Sequence, residues 1–326
     1  MFEGARCLVA GGTGFIGSNL VKRLTSMGAR VRATYHERPP VIIDSIEYVK
    51  ADLLTMADCK KAVDSIDYVF MCAASTAGAA VISSNPLYIV TPNIIMNAQM
   101  LEAAYFEKVT KFIFISSNAV YPPTGSRPVT ESEIFNGDPH DVYFGGGWMK
   151  RYTEILCRLY SEKLKPSMKT VVIRPSNVYG PGDDFDFGTS HVMAATIRKV
   201  IERHDPIEVW GDGNDVRDLI YIDDFIDGLL LAAEKIDTFN PVNIGYGRGY
   251  SIKQILQMAI EIDGFSDARI VYNSLKPSMI PIRLIDVSKA ERVLGFRPKM
   301  DIREGIRKTI NWFMENYYID NYKDAI

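Results

Sequence analysis

The stretch LVAGGTGFIGSNLVKRL, residues 8–24, decides the fold of this chain. An apolar run comes first, glycines at GxxGxxG spacing follow, and apolar residues then recur at helical spacing, which predicts a strand, a tight turn and a helix. Gly11 permits the turn, Gly14 lets the backbone approach a pyrophosphate, and Gly17 lets helix and strand pack closely. An ordinary glycine-rich turn is the alternative. The position directly after the first strand favours nucleotide binding.

The composition is typical of a globular protein. The 326 residues are 47% hydrophobic and 24% charged, with a net charge of −3, so there is no basic field for nucleic acid or an anionic membrane. No apolar stretch reaches about 18 residues, the minimum for a membrane span. The four cysteines, Cys7, Cys59, Cys72 and Cys157, lack CxxC spacing. We therefore expect no metal site and a cytoplasmic protein.

Strands and helices alternate along the first half of the chain. After the first helix, strands are predicted at 29–36, 46–53, 67–74, 111–117 and 170–176, and helices at 87–106 and about 148–164. Such alternation implies an α/β fold with a doubly wound parallel sheet, whose ligands bind beyond the carboxyl ends of the strands. Those ends are marked by Gly11, Tyr35, Asp52, Ala73, Ser117 and Ser176.

The regular alternation breaks beyond Arg174, which predicts a smaller second lobe. A loop at 180–188 and a helix at 191–203 precede 209–224, where turns mix with short strands. A strand in 243–249, a helix capped by Ser251, a strand at 269–273 and helices near 286–295 and 302–318, the last capped by Asp301, complete the prediction.

Several segments, in order, resemble the extended short-chain dehydrogenase/reductase family of nucleotide-sugar enzymes, which includes NAD-dependent epimerases and dehydratases. They are GGTGFIG (11–17), Asp52, SSNAVYP (116–122), Lys150 and RPSNVYGPGD (174–183). The segments 183–195, 208–224 and 242–255 are most similar to the GDP-L-fucose synthase group of 4-ketoreductases. The resemblance implies a Rossmann-type dinucleotide-binding domain over 1–175 and about 218–245. A C-terminal α/β lobe over 176–217 and 246–326 would bind the nucleotide sugar.

The end of the second strand bears on the choice of cofactor. Members that bind NAD usually hold Asp or Glu there, whereas Tyr35 and His36 occupy this place and Arg38 lies just beyond. We therefore expect NADP(H), with NAD(H) possible, although Arg38 could also be a solvated loop cation. By resemblance, Asp52 would bind the adenine amino group, or else cap the next turn. The remaining cofactor residues would be Thr13, Phe15, Ile16, Leu53, Ala73, Ala74, Lys150, Pro175, Asn177 and Val178.

The catalytic residues of the family are matched incompletely. Ser117 corresponds to the hydroxyl that orients the reacting oxygen, and Lys150 to the lysine that follows the catalytic tyrosine by four residues. Gly146 stands where that tyrosine is expected. Three hypotheses follow: an impaired enzyme, replacement of the tyrosine by Tyr143, or a protein that binds nucleotide sugar without redox chemistry.

Two further positions concern epimerisation and dehydration. His191 corresponds to one epimerisation residue, but Ala119 stands where the partner cysteine is expected. His191 could act as an acid or base alone, or simply begin a helix. Dehydratases of the family carry Asp and Glu where Asn118 and Ala119 stand, so dehydration is disfavoured.

The substrate expected from this resemblance is a nucleotide sugar, with a GDP-sugar favoured. Asn177, Arg217 and Arg283 would hold its diphosphate, and Ser117, Asn118, His191, Val192 and Trp210 would complete the site. The expected activity is NADP(H)-dependent reduction, possibly with epimerisation, of a 4-keto-6-deoxy sugar. An NAD-dependent 4-epimerase and a catalytically silent binding protein are the alternatives. Helices 87–106 and 148–164 would form a four-helix bundle in a homodimer, or serve only the intramolecular core.

Overall fold

The computed structural model of the chain describes residues 1–76, 85, 87–276 and 280–318. The first half contains β1 Arg6–Ala10, α1 Phe15–Ser26, β2 Arg30–Tyr35, β3 Ile46–Lys50, α2 Met56–Val63, β4 Tyr68–Met71, α3 Leu87–Phe106, β5 Lys111–Ile115, α4 Phe144–Arg158 and β6 Lys169–Pro175. The second half contains β7 Asn177–Tyr179, α5 Val192–Ile201, β8 Ile207–Trp210, β9 Val216–Tyr221, α6 Ile222–Lys235, β10 Val242–Ile244, β11 Gly249–Ser251, α7 Ile252–Asp263, β12 Ile270–Asn273, β13 Ile282–Arg283, α8 Ser288–Leu294 and α9 Ile302–Phe313.

Seven parallel strands form the main sheet, in the order β10-β6-β5-β4-β1-β2-β3. The predicted Rossmann-type α/β fold is thus confirmed. The chain builds outward from β1 to β3 on one side and from β4 to β10 on the other. The order reverses between β1 and β4, so a crevice for ligands lies beyond the carboxyl ends of these two strands.

Helices cover both faces of this sheet. On one face α1 and α6 contribute Leu20 and Phe225 to the larger core, and on the other α3 and α4 contribute Met100 and Cys157 to a second core. All four side chains are fully buried. Burial on both faces explains why the central strands read as continuous apolar runs in the sequence.

Beyond the main sheet, β9 lies at the centre of a four-stranded sheet. Its first half pairs with β11 and β13, its second half pairs with β7, and a separate pair joins β8 to β12. The predicted caps are confirmed: Ser251 begins α7 in a capping box with Gln254, and the Asp301 carboxylate accepts from two amides at the start of α9.

Two helices differ from the prediction. The helix α6 was not predicted at all, because β9 ends at Tyr221 and α6 begins at Ile222 with no turn residue between them. The helix α4 begins at Phe144, four residues earlier than expected, and continues beyond Arg158 as a π turn. Its first turn therefore includes Gly145, Gly146 and Gly147.

We expect the variants Gly17→Ala and Gly14→Ala to differ sharply in their free energy of unfolding. A Cβ on Gly17 would lie 2.1 Å from the Gly11 carbonyl oxygen, whereas on Gly14 its nearest neighbour is the same oxygen at 3.4 Å. Gly17→Ala should lower the free energy of unfolding by about 1–3 kcal/mol. Gly14→Ala should change it by less than about 0.5 kcal/mol. Urea unfolding measures both, and equal losses would contradict this packing.

Candidate functional site

The turn between β1 and α1 is packed tightly against the neighbouring strands. Gly11 has a φ of +78°, and a Cβ there would lie 2.7 Å from Ala73 Cα. Its amide donates to the Thr34 hydroxyl at 2.9 Å. The first glycine is therefore required by backbone conformation and by the approach of β4, as the sequence predicted.

The next glycine faces open space instead. Gly14 is exposed, and no described side chain caps the helix that it begins. The amides of the first turn of α1, which includes Phe15 and Ile16, therefore lack a side-chain partner. An exposed glycine before an uncapped helix fits a pyrophosphate. Asn19 donates to the Pro181 carbonyl at 3.0 Å and holds the loop after β7 against this helix.

The end of β2 carries both signs of charge. Tyr35 is half-buried, while His36, Glu37 and Arg38 are exposed. Glu37 was missed in the sequence analysis, although a carboxylate two residues beyond this strand is the signal for ribose recognition. Arg38 makes no hydrogen bond or ion pair within the part of the chain that the structure describes. The end of β2 therefore carries a carboxylate that suits a ribose 2′-hydroxyl, Glu37, and a cation that suits a 2′-phosphate, Arg38.

Asp52 follows β3 and caps the next turn, which is one of the two roles expected for it. Its Oδ1 accepts from the Leu54 amide at 3.0 Å, so the carboxylate caps the turn before α2. Leu53 beside it is buried. On the other side of the crevice, Ala73 lies against Gly11 and Ala74 is exposed. Ala73 therefore lies at the crevice between β1 and β4, whereas Asp52 and Leu53 follow the edge strand β3.

Ser117 and Lys150 come together at the carboxyl end of β5. Lys150 Nζ donates to the Ile115 carbonyl at 2.8 Å and lies 4.7 Å from the Phe114 ring centroid. Ser117 Oγ accepts from the Ala119 amide at 3.1 Å, which leaves its own proton for a ligand. Burial lowers the pKa of Lys150 to about 8, although the charge of Glu154 opposes this shift.

A buried ion pair supports these two residues and was not foreseen from the sequence. Glu154 Oε2 and Arg174 Nη2 lie 2.5 Å apart, and both side chains are almost wholly buried. Ser116, the neighbour of Ser117, donates to Glu154 at 2.5 Å, and Arg174 also donates to the Tyr121 hydroxyl at 2.8 Å. The spacing of Lys150 and Glu154, one helical turn apart, was the available signal.

Gly146 lies on α4 one turn before Lys150. A Cβ there would meet the Ile89 methyl at 3.3 Å, the movable end of a side chain. At Gly145 the nearest atom is a Val90 methyl at 2.9 Å, and at Gly147 the Ala119 carbonyl oxygen lies at 2.7 Å. Of these three positions, 146 is the one where a side chain fits with the least displacement.

Tyr143 directly precedes α4 and is half-buried. Its ring lies where the charges of Arg217 and Arg283 reach it, and these charges oppose the burial that raises its pKa. The groups whose charges reach Lys150 are instead Glu154, Cys157 and Cys72. The replacement of the catalytic tyrosine by Tyr143 stays a prediction.

Arg217 and Arg283 are neighbours across β9 and β13, in direct register. Arg283 is 3% exposed, and its guanidinium donates to the carbonyl oxygens of Pro122 at 3.2 Å and Tyr121 at 3.3 Å. Its Nε has no hydrogen-bond partner among the described residues. Burial lowers the pKa of Arg283 to about 10. Arg217 pairs with Asp215 at 3.2 Å.

The remaining predicted residues are spread over several elements. Pro175 ends β6, Asn177 and Val178 lie in β7, Asn118 begins the 3₁₀ turn Asn118–Val120, and Val192 begins α5. His191 is exposed just before α5, yet the surrounding protein lowers the pKa of its ring despite the charge of Asp184. Trp210 is 38% exposed at the end of β8, under the Lys276 ammonium, which lies 5.4 Å from its ring centroid.

The described residues offer neither a metal site nor a membrane-spanning helix. No group of three or more His, Cys, Asp or Glu side chains there could hold a metal ion. None of the helices in this part of the chain is long and apolar enough to cross a membrane. All four cysteines are free thiols.

Comparison with known proteins adds to this geometry. The model of the NAD dependent epimerase/dehydratase family matches residues 7–245. The chain is 30% identical over 321 residues to GDP-mannose 3,5-epimerase 1 of Oryza sativa subsp. indica, covering 96% of this chain and 82% of that protein. It is 27% identical over 325 residues to the putative GDP-L-fucose synthase 2 of Arabidopsis thaliana, covering 96% and 93%.

A solved structure agrees over nearly the same length. The crystal structure of UDP-glucuronic acid 4-epimerase from Bacillus cereus, in complex with UDP-glucuronic acid and NAD, superposes with a TM-score of 0.83 at 28% identity. The match covers 96% of this chain and 100% of the other. The similarity therefore extends beyond the main sheet over nearly the whole chain.

Proposed function

The chain belongs to the NAD dependent epimerase/dehydratase family and is a nucleotide-sugar epimerase or reductase, and we propose that it reduces a nucleoside-diphosphate 4-keto-6-deoxy sugar, with a GDP-sugar favoured. The observation that carries the proposal is that the Lys150 ammonium binds the Ile115 carbonyl, two residues before Ser117, at the end of β5. The crevice beside them begins at the α1 turn, which fits a dinucleotide. Residues 176–217 and 246–326 would form the lobe that binds the sugar nucleotide.

In this proposal the proton comes from Lys150. Held at the turn of Gly11, Gly14 and Gly17, NAD(P)H would supply the hydride for the carbonyl carbon. The Ser117 hydroxyl donates a hydrogen bond to the carbonyl oxygen and orients it, and the Lys150 ammonium gives that oxygen its proton, because Gly146 offers none. A pKa of about 8 suits a donor that works near neutral pH. The neutral amine left behind regains a proton from water.

The first test restores the phenol that the family places on α4. Gly146→Tyr should put a hydroxyl one turn before Lys150, on the same face of the helix. Turnover of a GDP-4-keto-6-deoxy sugar, followed as NADPH oxidation, should then rise by roughly 10²–10⁴-fold, the usual contribution of a positioned general acid.

Gly146→Phe is the matched control for this test, since it fills the same space without a hydroxyl. A rise with Tyr but not with Phe shows that a phenol at this position donates the proton better than Lys150 does in the parent. Equal rates in the parent and both variants, all above zero, would count against any role for a phenol at this position. Absence of turnover in all three would favour a silent binding protein.

Cofactor preference is the second element of the proposal. We propose NADP(H), because Arg38 is exposed and has no partner among the described residues, and a 2′-phosphate would pair with it. Arg38→Ala should lower the ratio of NADPH affinity to NADH affinity by about 10- to 100-fold. Calorimetry with each cofactor measures this ratio. Arg30→Ala, at the other end of β2, is the control. Equal affinity of the parent for both cofactors would overturn the assignment.

A second candidate function also has support. An NAD-dependent 4-epimerase is favoured by Glu37 beyond β2 and by the similarity to a 4-epimerase solved with NAD. In that case hydride returns to the other face of the sugar, and purified protein should retain NAD(H). A 3,5-type epimerisation would rest on His191 alone, because Ala119 cannot exchange a proton.

We also propose a homodimer. An exposed apolar stripe runs along α4 and its π turn, formed by Phe144, Trp148, Tyr152, Ile155 and Leu159. On α3 the exposed apolar residues are Leu87, Tyr88 and Phe106. These two helices pack on each other, so two copies would form a four-helix bundle.

The free thiols suit a reducing compartment, and we place the protein in the cytoplasm on that ground.

A charge in the stripe should separate the subunits. Ile155→Asp should convert a dimer into a monomer in size-exclusion chromatography with light scattering, because a carboxylate would be desolvated in the bundle. Leu275→Asp, at a residue 94% exposed in the second lobe, should leave the mass unchanged. A parent protein that is monomeric at micromolar concentration would contradict the bundle.

A further inference from the structure

Helix α3 contains a proline, Pro92, in its interior. A proline has no N–H, so it cannot donate to the carbonyl oxygen four residues earlier in the helix, which belongs to Tyr88. The Ser75 hydroxyl donates to that oxygen at 3.0 Å. The acceptor that Pro92 releases from the helix is therefore satisfied by a residue outside the helix.

Asn93, the residue after this proline, holds the backbone of the same serine. Its Oδ1 accepts from the Ser75 amide at 3.0 Å, and its Nδ2 donates to the Ser75 carbonyl at 2.8 Å. Nδ2 also donates to the Ile89 carbonyl within α3 at 2.6 Å. Asn93 is 3% exposed, so its amide is shielded from water. The helix thus binds Ser75 through its amide, its carbonyl and its hydroxyl.

Ser75 ends what we call the wall segment, residues 73–75, which follows β4 where the strand order reverses. At its other end, Ala73 packs on the turn between β1 and α1. A Cβ on Gly11 would lie 2.7 Å from the Ala73 Cα and 2.8 Å from its amide nitrogen. The wall segment therefore contacts the glycine turn at one end and is bound to α3 at the other. It borders the crevice in which a dinucleotide would lie.

We propose that Asn93 is a positioning residue for the dinucleotide, because it holds the wall segment in place beside the glycine turn. Pro92 contributes by leaving the Tyr88 carbonyl to the Ser75 hydroxyl. A segment that is already held loses little freedom when the cofactor binds, whereas a loose one lowers the affinity by the fraction of time it spends out of place. The inference rests on the proposed function, since it needs a nicotinamide dinucleotide in this crevice.

Calorimetry with NADPH and NADH tests the assignment without any turnover. Asn93→Ala should weaken binding of both cofactors by about 10- to 100-fold, because the wall segment loses two hydrogen bonds. Asn97→Ala is the matched control. Asn97 lies one turn further along α3, is 2% exposed and donates to the Thr153 hydroxyl on α4 at 3.3 Å. Its loss should change neither affinity, although it removes an equally buried amide.

Pro92→Ala separates cofactor affinity from stability. The restored N–H returns to the Tyr88 carbonyl, so the helix becomes more regular and the urea midpoint should rise. The Ser75 hydroxyl then loses its acceptor, and NADPH should bind about 2- to 10-fold more weakly. Ser75→Ala should weaken NADPH binding by the same factor. A role of these residues in folding alone would move the affinity and the midpoint in the same direction.

The outcomes distinguish the inference from the proposed function. If the parent binds neither NADPH nor NADH, the proposed function itself is overturned. If the parent binds a cofactor and Asn93→Ala binds it as well as Asn97→Ala does, the assignment of Asn93 is overturned while the proposed function stands. Unchanged or higher NADPH affinity in Pro92→Ala also overturns it, and this result decides the matter where Asn93→Ala does not fold. In steady-state kinetics, Asn93→Ala should raise the KM for the cofactor and leave kcat nearly unchanged.

Discussion

A single buried carboxylate, Glu154, holds together the elements that carry the site. It accepts from Ser116 at the end of β5 and from Arg174 at the end of β6, and it lies on α4 one turn beyond Lys150. Removing one partner of such a pair would leave an uncompensated charge in the interior, at a cost of about 3–5 kcal/mol. The positions of Ser117 and Lys150 therefore depend on an interaction that neither of them makes.

The same network reaches the second half of the chain. Arg174 donates to the Tyr121 hydroxyl, and Tyr121 donates to Asn243 Oδ1 at 2.6 Å in β10. The Asn243 side chain in turn donates to the carbonyl oxygens of Val129 and Asp286. Buried polar groups of this kind are satisfied in one arrangement only, so they fix how the edge of the main sheet meets the segments that follow it.

Charge divides the site into regions with different tasks. The start of α1 is neutral and open, which suits the approach of a pyrophosphate to backbone amides. Lys150 lies deeper, where burial lowers its pKa. The arginine pair, Arg217 on β9 and Arg283 in register with it on β13, forms the third region.

The sequence alone determined the parallel sheet, the α1 turn, helix Leu87–Phe106 and the caps at Ser251 and Asp301, because these depend on spacing within a few residues. It also identified Gly146 as a departure from the family pattern. Only the tertiary structure decided that Glu154 pairs with Arg174 and that Arg217 lies in register with Arg283. These relations join residues far apart in the chain, so packing and strand register set them, and no local pattern encodes them.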